Sequence, residues 1–224
     1  MLAALRQVTA KLKTKGALSF RLADEEAALS AKASENTQER AAEQKATAAE
    51  APKLQAALAA VRPDLAAYQF SNAVAALEKV QLDSRSLQAE RDSEIKRAQW
   101  LASWKTALVA DINNVGFGGA VTDIHGVRCD GPVRRATATE MELKTRYWRV
   151  MTRWLNLSPQ MLLTMSTAFI RPGVSDIPER ELRCAIFAAE TGQKGAALEL
   201  ARKAAEGKTE FRDFLPYFFP DAKK

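Results

Sequence analysis

The chain has a single imidazole, His125, so any acid–base chemistry of that kind must pass through it. Asp123 lies two residues before it and Cys129 four after, in the run Asp-Ile-His-Gly-Val-Arg-Cys. On a strand, side chains at i and i+2 share a face, so an Asp123–His125 contact is open to the chain. Cys129, on the returning strand of a hairpin, would complete an arrangement like that of a thiol hydrolase. The plainer reading of these residues is a polar turn and a small buried thiol. We adopt that reading: no catalytic residue is assigned and the chain is read as a non-enzyme.

Gly116-Phe117-Gly118-Gly119 is the other run that suggests chemistry. Phosphate loops place a strand before the glycines and a helix after them, with a Lys-Ser/Thr pair following. Here the helix comes first and no such pair follows, so the run reads as a helix stop and linker. One histidine and two distant cysteines cannot build a structural zinc site, and no metal or cofactor is assigned. Arg134, Arg135, Lys144, Arg146, Arg149 and Arg153 all fall in one stretch of expected strands. Gathered on one face they would contact phosphates, with Tyr147 or Trp148 stacking on bases. Glu140 and Glu142 interleave with them, however, so the same face suits solvent or an acidic protein partner. At the tail, Phe214, Phe218 and Phe219 crowd behind Phe211 as a docking motif or as cover for the last helices.

Glycine and alanine divide the elements that must position these residues. Only Gly16 precedes residue 115 and nine glycines follow it, while 29 of the 42 alanines lie in the first 113 residues. Glycine costs a helix interior about 1 kcal/mol relative to alanine, so a helical half precedes a mixed one. Four regions follow: a long Ala-rich helical hairpin over 1–62, connecting helices over 63–115, a small antiparallel sheet over 116–157, and a helical subdomain over 158–224. From residue 17 to about residue 50 the stripe passes from Leu18, Leu22 and Leu29 to alanine alone, which buries little area. A coiled-coil arm that self-associates competes with the hairpin, but it lacks Leu or Ile at its a and d positions. Pro52 is expected to interrupt the helix, and Asp83 or Ser84 to cap the next one.

Beyond residue 116 the period changes to two. Met141 and Leu143 alternate with Glu140, Glu142 and Lys144, and Trp148, Val150, Thr152 and Trp154 with Arg149, Met151 and Arg153. A meander or partial barrel of about four strands is expected, packed on a helix because so small a sheet cannot bury both faces. Ser158-Pro159 opens the last helices and Gly192 separates two of them. The fold class is α+β.

The 224 residues allow one large domain or two to three small ones, and 47% hydrophobic content suits a folded chain. No apolar run is long enough to span a membrane, and the start lacks the pattern of a secretory signal. Two free thiols suit a reducing, cytoplasmic setting. The net charge of +6 is mild: 16 basic against 14 acidic residues before residue 114, 7 against 4 up to 157, and 10 against 9 after it. The sheet alone has a basic bias, and it is thinner than a dedicated nucleic-acid stripe.

Two resemblances add to this. Leu182 to Gln193, continuing to Ala197, Ala201 and Ala204, resembles one tetratricopeptide-type hairpin, and 64–80 resembles a degenerate piece of the same kind. Over roughly 64–220 the chain is similar to the C-terminal region of large bacterial proteins that often carry an upstream Ser/Thr kinase domain. The pieces that carry this are Tyr68-x-Phe70, Trp104-Lys105, Gly119-Ala-Val-Thr, Gly131-Pro-Val, Leu143-Lys144-Thr145, Trp154-x-x-Leu157-Ser158-Pro159 and Phe169-Ile170-Arg171-Pro172. That resemblance implies an accessory region with no assigned activity, and none of the kinase motifs is present. The expected function is a scaffold or protein-interaction module. A nucleic-acid binder using the basic sheet is the alternative, and an accessory role beside a kinase rests on the resemblance alone.

Overall fold

The computed structural model describes residues 17–144 and 148–213. The described chain is α+β and mostly helical: α1 (Ala17–Ala66), α2 (Phe70–Leu77), α3 (Arg85–Asn114), five short strands, then α4 (Pro159–Thr167), α5 (Ile177–Glu190) and α6 (Lys194–Gly207). It divides into two compact units. One holds 17–53 with 82–88, and the other holds 54–81, 89–144 and 148–213.

In the first unit, no side chain described from Asp24 to Lys53 is buried, as an alanine stripe with little area to bury would dictate. Leu82 and Leu87 are buried in this unit, and beside them runs a polar network. Glu50 accepts from the amides of Asp83 and Ser84 at 2.9–3.0 Å, and Glu43 from the Ser86 amide at 3.0 Å and the Ser84 hydroxyl at 2.8 Å. Of the two caps the sequence offers, Asp83 and Ser84, it is Ser84 that accepts from the Leu87 amide at the start of α3. Two carboxylates therefore sit where a helix presents its unpaired amides and the positive end of its dipole. Those hydrogen bonds hold both carboxyls below their ordinary pKa, the Ser86 amide leading at Glu43 and the Ser84 amide at Glu50.

The expected interruption at Pro52 does not occur: α1 runs through it without a break to Ala66, so no turn falls within 17–62. An interior proline costs about 3 kcal/mol. In the second unit, Leu54 and Val61 just beyond it are buried, Val61 with Ala73 and Leu77 of α2 beside Ile95 of α3, and that burial opposes the cost. One of the three points at which the chain passes from one unit to the other lies next to this proline, between Lys53 and Leu54.

The second unit has its core where α3 meets α5 and the strands. Trp104 stacks on Phe187 of α5 at 3.7 Å between ring centroids, and Trp100 meets Phe211 edge-on at 6.3 Å. Both tryptophans, one helical turn apart on α3, thus act in packing. The helical pair α5–α6 closes through buried Ala185, Ala188, Ala197, Ala201 and Ala204, with Gly192 at φ +78° in the turn. Ser158 caps α4 by accepting from the Met161 amide at 3.1 Å, with Pro159 in the first turn.

Among the described residues, the strands form two small antiparallel sheets rather than one of four strands, and no barrel closes. The first pairs β1 (Val121–Thr122) with β2 (Arg128–Cys129); the second has the order β3 (Arg135–Ala136), β4 (Glu140–Lys144), β5 (Arg149–Arg153). β3 is held to two residues because Thr137 turns the chain: its hydroxyl accepts from the Thr139 and Glu140 amides. Among the described residues, no helix is long and apolar enough to cross a membrane.

Candidate functional site

The register of the second sheet sorts the charged residues. Glu142 faces Arg135 on one side and Met151 on the other, Lys144 faces Arg149, and Glu140 faces Arg153. Opposed residues share a face, so Arg135, Lys144, Arg149 and Arg153 join Glu140, Glu142 and Met151 on the outer side. Met141, Leu143 and Thr152 are buried on the inner side. Four of the six basic residues expected to gather do so. Arg134 is exposed with its stem beside Gly116, and Arg146 lies outside the described residues. The face is not a uniform phosphate cradle. Glu142, 17% exposed, runs between Arg149 at 3.2 Å and Arg135 at 3.9 Å, so acid occupies the middle of the basic field.

The same region carries the exposed apolar surface. The large hydrophobic side chains that stand exposed among the described residues are Val115, Ile124, Val127, Trp148, Val150, Met151 and Leu155, all within 115–155. Four lie along 148–155, with Trp148 at 65% and Met151 at 50% exposure. Ile124 is tied to the residue that follows that segment by its amide, which donates to the Asn156 carbonyl at 2.7 Å. β5 is an edge strand, paired among the described residues with β4 alone. Edge strands offer a row of unpaired backbone groups, and proteins commonly protect them.

The His125 turn does not assemble a nucleophile. Asp123 accepts from the backbone amides of His125 and Val127 at 2.9 and 2.8 Å, so it shapes the turn. His125 is exposed, while Cys129 is buried and its thiol is pushed up by that burial and by Asp123 and Asp130. A raised thiol is a poor nucleophile. The glycine run acts as a stop and linker: Gly116 takes φ +80° at the end of α3, and Phe117 pairs with Val133. Among the described residues, no three His, Cys, Asp or Glu side chains converge on a metal position. Phe214, Phe218 and Phe219 lie outside the described residues; Phe211 is buried.

Sequence reasoning missed one site. Lys105 of α3 is 8% exposed, donates to the Tyr68 carbonyl at 2.6 Å, and lies 5.3 Å from the Trp154 ring centroid. Burial pulls its pKa down to about 8. It lines a cavity of about 390 Å³ with Phe70, Ser71, Thr106, Val109 and Thr139. The walls are fixed by local chemistry. α1 ends in a Schellman motif, the Gln69 amide donating to Asp64 at 2.7 Å and the Tyr68 amide to Leu65 at 3.1 Å. Tyr68 takes the left-handed position of that motif at φ +56°, where glycine is customary. Opposite, Asn113 clamps both backbone groups of Ala136 at 2.8 and 3.0 Å, and the Trp154 indole donates to the Thr137 carbonyl at 3.0 Å. The only signal available in sequence was a cation between the buried Trp104 and Leu108, which reads equally as a solvated helix face. No protein-family model matches the chain, and neither do the curated proteins or solved structures with which it was compared.

Proposed function

We propose that this chain is a non-catalytic protein-interaction module, and that its edge strand β5 receives an extended acidic segment of a partner protein. The observation that carries the reading is the combination on β5: an open edge, and an outer face reading Arg149, Met151, Arg153. A strand laid beside it would set alternate side chains against that row, so the complementary pattern is acidic, apolar, acidic. Backbone hydrogen bonds would supply affinity, and the alternating charges the register. The exposed Trp148 and Leu155 at either end extend the apolar contact.

A nucleic-acid reading draws on the same basic residues, but Glu140 and Glu142 lie along the face a phosphate backbone would have to follow. The test is selection of binders to the intact chain from a random peptide library, followed by the Arg149→Glu, Arg153→Glu double variant. Enrichment of acidic–apolar–acidic alternation, with affinity lost about tenfold or more on charge reversal, is the expected result. Enrichment of helical motifs, or affinity unchanged by the reversal, overturns the reading. RNA retention that falls steeply with salt, in the absence of peptide binding, would favour the alternative.

A further inference from the structure

We propose that the cavity beside Lys105 binds a small organic monocarboxylate, its carboxylate on the Lys105 ammonium and its apolar body against Phe70, Ala102, Val109 and Ala138. The cavity, about 390 Å³, lies in the size range of small-molecule sites and joins an apolar wall to a few polar groups. Its lining residues include one cation and no carboxylate, so a bound anion would meet attraction without like charge. Among the described residues no carboxylate forms an ion pair with Lys105, whose one protein acceptor is the neutral carbonyl of Tyr68. A buried ammonium so placed retains donors for a ligand.

Three further features point the same way. α2 begins at the cavity with Phe70, Ser71 and Asn72 in its lining, and Gln69 supplies no side-chain cap to the first turn. Its side-chain oxygen accepts instead from Asn72 at 2.9 Å, so the positive end of the helix, whose first residues line the cavity, carries no side-chain cap. Ser71, Thr106 and Thr139 add hydroxyls around the same space. The left-handed Tyr68, a conformation that costs a bulky residue about 1–2 kcal/mol, holds the carbonyl that fixes the ammonium. A single lysine and no arginine suit one negative charge; a nucleotide or polyphosphate would leave most of its charge unmatched. No carboxylate in the lining recommends the site to a cation.

Benzoate, neutral benzamide and inorganic phosphate separate the terms, followed by amide chemical shifts and calorimetry on the intact chain. Benzoate is expected to bind saturably in the submillimolar range and to move the Phe70 and Ser71 amides, with benzamide and phosphate at least about tenfold weaker. Lys105→Met should abolish benzoate binding. Thr106→Glu, at an exposed position that tolerates substitution, places a competing carboxylate beside the ammonium and should weaken benzoate about tenfold even if the first variant fails to fold. Only Lys105 on α3 and Tyr68 at the α1–α2 junction are titratable among the lining residues, and the β3–β4 turn brings none. Affinity should therefore hold near neutral pH and fall as the amine deprotonates. Equal binding of benzoate and benzamide, equal binding of phosphate, insensitivity to Thr106→Glu, or no saturation by about 10 mM benzoate would overturn the proposal.

Discussion

Lys105 shows how one residue sets a pH dependence. Its pKa is lowered on folding because burial disfavours the charged amine, and no carboxylate among the described residues offsets that. Between about 8 and the ordinary lysine value near 10.5, the unfolded chain holds a proton that the folded chain lacks. The contribution of Lys105 to stability therefore rises with pH across that window, and below it the full cost of burying the ammonium is felt. Water reaching the amine through the cavity reduces the effect, which should be on the order of 2 kcal/mol. Between pH 7 and 10 the urea unfolding midpoint of the native chain should rise relative to that of Lys105→Met, the two buried thiols, whose raised pKa acts the opposite way, being common to both; a constant or falling difference would contradict this. The sequence could not have revealed it. The burial depends on α2 and the β3–β4 turn reaching over α3, while within α3 itself the lysine sits at a position that could equally face water.

At the scale of elements, two polar attachments replace missing apolar area. Glu43 and Glu50 hold the start of α3, and their lowered pKa values mean the attachment is present above the ordinary carboxylate range and lost as pH falls through the depressed values. Glu50→Gln should lower the hydrogen-exchange protection factors of the Asp83 and Ser84 amides about tenfold at neutral pH, and acidification should lower them likewise in the native chain once the fall in intrinsic exchange rate is allowed for. In the second unit, Arg180 of α5 joins Asp111 of α3 and Asp176, and both Arg180 and Asp111 are less than 20% exposed. Arg180→Met leaves Asp111 partly buried and unpaired, and should cost about 2 kcal/mol in chemical unfolding. Element positions were largely legible in the sequence. Ser84, Ser158-Pro159 and Gly192 act locally, and each does what its type dictates. Pro52 misled because a local rule met burial further along the same helix. The sheet was overdrawn because Thr137 ends β3 through a side-chain bond that alternation does not encode.

At the scale of the molecule, the large hydrophobic residues that stand exposed among the described residues and the edge strand both fall within 115–155, while Trp104 and its neighbours are spent on the core. The basic residues were visible in sequence, and so were the glutamates between them. Which of them share a face required the register. The most direct measurement is amide protection of the intact chain with a peptide alternating Glu with Leu, read residue by residue. Strand addition at β5 predicts new protection confined to alternate amides of 149–153, with 69–72 unchanged. Protection centred on the helices, or none at β5 when the peptide is bound, would contradict it.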